Sequence, residues 1–131
     1  MGFFSRLKDT FSMENTVSEH WNHPENEKDL DQIFSRTDKL QAIFKHSSAC
    51  GTSAFALRSM EEILPEAVGN VDFHIIEVRI QRRLSNLVEQ KTGVRHESPQ
   101  LIFLKNGEVL WDVSHSAIYP KSVLENIERF T

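Results

Sequence analysis

Apolar positions recur at two spacings along the chain, and the switches between them predict its elements. Leu30, Ile33 and Phe34 stand at i, i+3 and i+4, which predicts a helix over 27–36 with Asn26 as its N-cap. Leu40 to Phe44 form a short apolar strand run that ends at Lys45-His46. Over 51–64, Phe55, Leu57, Met60, Ile63 and Leu64 give a helix one apolar side, and Pro65 is expected to end it. Val71, Phe73, Ile75, Ile76 and Val78 predict a second strand, rich in β-branched residues. Residues 81–92 read as a helix with Leu84, Leu87 and Val88 inward, and Gly93 follows in the left-handed C-cap position. Residues 101–104 are an unbroken apolar run, the mark of a strand buried on both faces. Asn106-Gly107 signals a two-residue hairpin, residues 108–113 form the returning strand, and 121–130 form a last helix on Val123, Leu124 and Ile127.

The predicted order is αβαβαββα. The first βαβ segment needs a right-handed crossover and so makes a parallel pair, while the closing ββ is an antiparallel hairpin. The expected fold class is therefore α/β, a mixed central sheet flanked by helices on both faces. Of the 131 residues, 27–131 read as one domain and 1–26 as an N-terminal extension. In that extension Phe3, Phe4, Leu7 and Phe11 repeat at helical spacing, with Arg6 and Lys8 on other faces. A short amphipathic helix is expected, folding back or fraying, with membrane docking of residues 1–11 as the lesser reading. Arg6 stands where a myristoylation motif has Ser or Thr, so Gly2 is not read as an acceptor. Residues 12–26 are polar and read as a linker or an extended arm.

Composition removes several function classes. Fifteen basic against nineteen acidic residues give a net charge of −4, which offers nucleic acid no basic face. The longest apolar runs, 54–57 and 101–104, are far below the roughly 20 residues of a spanning helix. No signal-peptide pattern is present, so a cytoplasmic location is expected. The six histidines offer no converging ligand set, and no metal is expected. The single cysteine excludes an internal disulfide and any zinc site built on several thiolates.

That cysteine, Cys50, falls after the first strand of the βαβ unit and directly before its helix. A helix start presents unpaired N–H groups and the positive end of the dipole, and both favour a thiolate. Ser47, Ser48, Gly51, Thr52 and Ser53 surround it with the small polar rim of an exposed site rather than of a buried hydrophobe. His46 and Lys45 lie just upstream as further sources of positive charge, though the strand pleat need not aim either at the sulfur. Ser98-Pro99-Gln100 precedes the most buried strand, a place where a cis bond is tolerated.

Cys50-Gly51-Thr52-Ser53 at a strand-to-helix turn, a proline before the third strand and the αβαβαββα order together resemble the thioredoxin-like fold. More narrowly, the chain resembles the YtxJ family of monothiol bacilliredoxins, the redox proteins of the bacillithiol system. Phe44-Lys45-His46-Ser47, His96-Glu97-Ser98-Pro99-Gln100, Lys105-Asn106-Gly107 with Trp111, and Ser114-His115 carry the likeness, which spans 27–131. Gly51-Thr52 departs from the family's common Pro-Ile, a change that bears on redox partner and substrate preference rather than on fold. Trp111 itself is read as packing.

The resemblance implies a monothiol disulfide reductase with Cys50 as its catalytic residue. Thr52, Ser53, Ser98, Pro99 and His46 are its expected active-site support, with Pro99 cis. Gln81, Arg82 and Arg95 are candidate ligands for substrate carboxylates, although Arg82 also reads as a solvated helix-face charge and Thr52 and Ser53 as capping residues. No bound cofactor is implied; the co-substrate is a low-molecular-weight thiol, bacillithiol or similar, and the partners are S-thiolated proteins. With no second cysteine, a mixed disulfide on Cys50 must be released by an external thiol. Two other readings stay open. Cys-Gly-x-Ser also resembles monothiol glutaredoxins, which carry an iron–sulfur cluster between two chains, but their Thr-Val-Pro and Gly-Gly segments are absent here. A thioredoxin-fold binding module with an incidental cysteine is the third.

Overall fold

A computed structural model describes residues 17–131. The helix expected in the first eleven residues, and its membrane reading, lie outside the described residues. A two-residue strand, β1 (Trp21–Asn22), comes first, and every element predicted from residue 27 onward then forms. Asn26 caps α1 (Glu27–Ser35), its side-chain oxygen accepting the Asp29 N–H at 3.0 Å. β2 (Leu40–His46) leads into α2 (Gly51–Ala67), and β3 (Val71–Glu77) leads into α3 (Arg82–Thr92). Gly93 ends α3 at φ 73°, the left-handed conformation that glycine adopts without a Cβ penalty. β4 (Gln100–Lys105) and β5 (Glu108–Ser114) are joined through Asn106 and Gly107, both at positive φ, as a two-residue hairpin requires. A 3₁₀ turn, His115–Ala117, precedes the last helix, α4 (Pro120–Phe130).

Two findings differ from expectation. Pro65 does not end α2, which runs on to Ala67 with Val68 bonding back to the Leu64 carbonyl. Pro65 is exposed, so the carbonyl deprived of its N–H lies on the watered side and one lost bond is tolerated in the last turn. The polar arm over 12–26 also supplies a strand, since β1 pairs in parallel with β3 at Phe73 and His74. Trp21 is buried; its ring stacks on Phe44 at 5.5 Å and its Nε1 donates to Glu61 Oε2 at 2.8 Å.

The sheet order is β1-β3-β2-β4-β5, with β1, β3 and β2 parallel and β4 and β5 antiparallel to their neighbours. Alternation along each strand divides the core in two. Ala42, Phe44, Leu101 and Phe103 face α2 and α4, meeting Met60, Ile63, Leu64, Val123 and Ile127. Ile43, Ile76, Ile102 and Leu104 face α1 and α3, meeting Leu30, Ile33, Leu84 and Val88. Each of these side chains larger than Ala42 contributes roughly 1.5–3 kcal/mol. Trp111 packs edge-on to Phe103 at 4.9 Å, the packing role read for it. Among the described residues no helix is long and apolar enough to cross a membrane.

Candidate active site

β2 ends at His46, and the chain turns through Ser47–Cys50, where the Cys50 N–H bonds the Ser47 carbonyl at 3.1 Å. Cys50 then takes the N-cap position of α2 in extended conformation, its carbonyl accepting the Ala54 N–H. The residue is partly exposed, and its side chain makes no capping hydrogen bond. Cys50 thus stands at the positive end of α2, where the N–H groups of the first turn have no intrahelical partner. Gly51 and Thr52 are exposed on that turn.

Ser53 has another role than touching sulfur. Its buried hydroxyl accepts the Ser47 N–H at 2.9 Å and lies 2.7 Å from His46 Nδ1. His46, stacked on Phe44 at 5.9 Å, is pushed by burial below the ordinary histidine range, the Glu77 carboxylate acting against this. His46 is therefore held toward its neutral form. The pleat sends Lys45 to the opposite layer. His46 therefore supplies little of the positive charge that its position upstream of Cys50 suggests.

The turn before Cys50 is tied down from β3. Glu77 accepts the Ser48 N–H on Oε1 and the Arg79 N–H on Oε2, both at 2.8 Å. Burial works to raise this carboxyl, but the bonds from Arg79 and Ser48 outweigh it and hold it below its ordinary value. Gln81 spends its amide on backbone, accepting from Glu77 N–H at 3.0 Å and donating to the Pro24 carbonyl at 2.8 Å. It joins the arm to the site's framework. Arg82 opens α3 and Arg95 lies in the loop after it; both are exposed and without an ion pair among the described residues.

The other wall is the segment ahead of β4. The β2–β4 ladder closes on the pair Lys45↔Gln100, so Pro99 and Ser98 continue beside His46 and the turn into Cys50. The Ser98–Pro99 peptide is cis. The Pro99 carbonyl accepts the His115 N–H at 2.9 Å, and His115 Nε2 lies 3.3 Å from Glu97 Oε1. The Ser98 hydroxyl is buried without a protein partner among the described residues. Glu77, which ties down the turn into Cys50, carried no spacing signal; only the fold brings it there. Among the described residues no three His, Cys, Asp or Glu side chains converge as metal ligands.

A family model described as monothiol bacilliredoxin BrxC matches residues 22–123. The chain belongs to this family. Among solved structures, a candidate oxidoreductase with a thioredoxin fold is 30% identical, covering 81% of this chain and 91% of its own at TM-score 0.71. Thioredoxin from Malassezia sympodialis (Mala s 13) is 22% identical over 83% of this chain and 89% of its own, TM-score 0.67. A point-mutant thioredoxin from Halobacterium salinarum is 20% identical over 88% and 96%, TM-score 0.66. The last two show the fold alone. The bacilliredoxin chain thus has the thioredoxin fold and the thiol redox function of its family, with a cysteine at a strand-to-helix turn and a cis-proline at the entry to β4.

Proposed function

We propose that the protein is a monothiol disulfide oxidoreductase that removes a small thiol, bacillithiol or one like it, from S-thiolated proteins. The observation that carries this reading is the lone thiol of Cys50, on a partly exposed residue at the start of α2 and free of any capping bond. A thiolate there is able to attack but has no internal partner to relieve it.

The chemistry balances in two exchanges. Cys50 thiolate attacks the small-thiol sulfur of protein–S–S–R; a Cys50–S–S–R bond forms and the protein sulfur leaves as thiolate. A second small thiolate, R′–S⁻, attacks the R sulfur of that adduct, giving R–S–S–R′ and returning Cys50 as thiolate. The Ser98 backbone beside the cis peptide is the natural surface to pair with R or with the client chain. Arg82 and Arg95, exposed and unpaired among the described residues, are left as candidates for the carboxylates of R; Gln81 is the weaker of the three because its amide is already bonded.

The test is mass spectrometry of the intact protein after incubation with an S-bacillithiolated protein. The expected result is a gain equal to one bacillithiol on Cys50, reversed by added thiol and absent in Cys50→Ser. An unmodified wild-type chain, with the client still thiolated, would overturn the proposal.

A further inference from the structure

Lys45 has no exposed surface, yet it carries an amine. Two residues on from Ile43 along β2, it takes the same face of the sheet, toward α3. There its Nζ lies 3.1 Å from His96 Nδ1, with Ser85 Oγ at 3.3 Å from the same nitrogen. An ammonium has three N–H donors, and among the described residues only His96 accepts from it. Gln100, its partner across the ladder, is also buried, and its Oε1 has no partner among the described residues. Glu89 from α3 is the carboxylate that favours the charge, against the cost of burial. A methionine would fill this place without the cost of desolvating a cation.

What Lys45 holds is the approach to the cis-proline. His96 stands three residues before Pro99, and its backbone N–H bonds Glu89 Oε2 at 2.8 Å. Gln100 Nε2 bonds the Arg95 carbonyl at 2.8 Å. The segment is thus pinned from α3 and from β4 through its backbone, and from β2 through one imidazole. His96 is held toward its neutral form by burial and by the Lys45 charge, which leaves an Nδ1 lone pair for the ammonium.

We propose that Lys45 is a positioning residue for thiol exchange: through His96 it fixes residues 94–99, one wall of the Cys50 site, so that an incoming mixed disulfide meets the Ser98 backbone in place. This rests on the exchange reaction proposed above. Lys45 touches neither substrate nor sulfur; it acts on the reaction through the loop.

The experiment compares the full chain with Lys45→Met by three readings: thermal midpoint, Cys50 alkylation rate by iodoacetamide, and kinetics of bacillithiol transfer from an S-bacillithiolated protein. Expected are a midpoint no lower than wild type, alkylation within about twofold, and transfer kcat/KM down about tenfold, chiefly through KM, the size of one charge-assisted hydrogen bond. Should Lys45→Met fail to fold, the other end is tested: His96→Leu is expected to show the same loss, and His96→Asn, whose carbonyl replaces Nδ1, to recover most of it. Wild-type transfer matched by folded Lys45→Met, or by His96→Leu, overturns this inference and leaves the exchange reaction standing. No transfer by wild type overturns both.

Discussion

A hydroxyl buried as fully as that of Ser53 must find partners, and it finds two, the Ser47 N–H and His46 Nδ1. Ser53→Ala strips both at once and leaves a buried imidazole nitrogen and a part-buried amide unpaired. The expected loss is about 1–3 kcal/mol, read as a drop in the urea midpoint at unchanged slope; an unchanged midpoint would mean that water replaces the hydroxyl. Lys45 makes the opposite case. Burial pushes it down to about 8 from its ordinary 10.5. Below pH 8 both folded and unfolded chains carry the proton and the full cost is present; from 8 to 10.5 the unfolded chain alone keeps it, so stability climbs with pH. The span corresponds to roughly 3 kcal/mol, against which the lost His96 bond must be set. Lys45→Met is expected to be the more stable protein at pH 7, with an advantage that shrinks toward pH 10.5. Cys50 was legible because a lone cysteine at a strand-to-helix junction has few other uses. The company of Ser53 and Lys45 was not, because spacing along a strand says which face a side chain takes only once the neighbouring helices are placed.

At the scale of elements, period and punctuation carried most of the information. Asn26, Gly93 and Asn106-Gly107 each mark a boundary by a local backbone demand, and each boundary stands where that demand puts it. β1 gave no such signal. A strand of two residues has no period, and Trp21 lies among Asn, His and Pro that read as a tether. What makes it a strand is tertiary: an otherwise open β3 edge, an apolar slot against Phe44 and Phe73, and a carboxylate at Glu61 placed to accept both the indole N–H and the Ser18 amide. Trp21→Ala is expected to cost about 3–5 kcal/mol, as large-to-small changes of a buried aromatic do. The arm should then come away as a unit, exposing the Phe73 amide, which points to β1, to hydrogen exchange while β4 and β5 keep their protection. Equal protection of β3 in both proteins would show that the arm closes the edge without Trp21. Pro65 is the converse lesson, a strong stop signal overridden because it falls on the exposed side of a last turn.

For the molecule as a whole, the buried histidines set the response to acid. His74 lies on β3, its Nε2 paired with Gln41 Oε1 at 2.8 Å while Gln41 Nε2 bonds Asp72 at 2.8 Å. Burial pushes His74 down to about 4, Asp72 opposing and Arg36 assisting. His46 and His96 are depressed in the same direction, each chiefly by burial. A histidine whose folded value lies below its unfolded 6.5 contributes stability that is present above 6.5 and lost as pH falls through the folded value, because the unfolded chain takes the proton first. For His74 the window runs from 6.5 to about 4 and is worth on the order of 3 kcal/mol. The depressed carboxyls Glu77 and Asp72 follow the same rule from lower starting points, 4.5 and 3.8, so their losses begin where the histidine window closes. The two sets can therefore be separated. His74→Asn keeps a donor for Gln41 but removes its titration, and its urea midpoint is expected to fall less steeply than that of the wild type from about pH 6.5 to about 4.5, the remaining slope belonging to His46 and His96. Parallel decline in both would move the acid sensitivity to His46 and His96, which sit at the two walls of the Cys50 site, and would make the site itself the first part of the fold to yield.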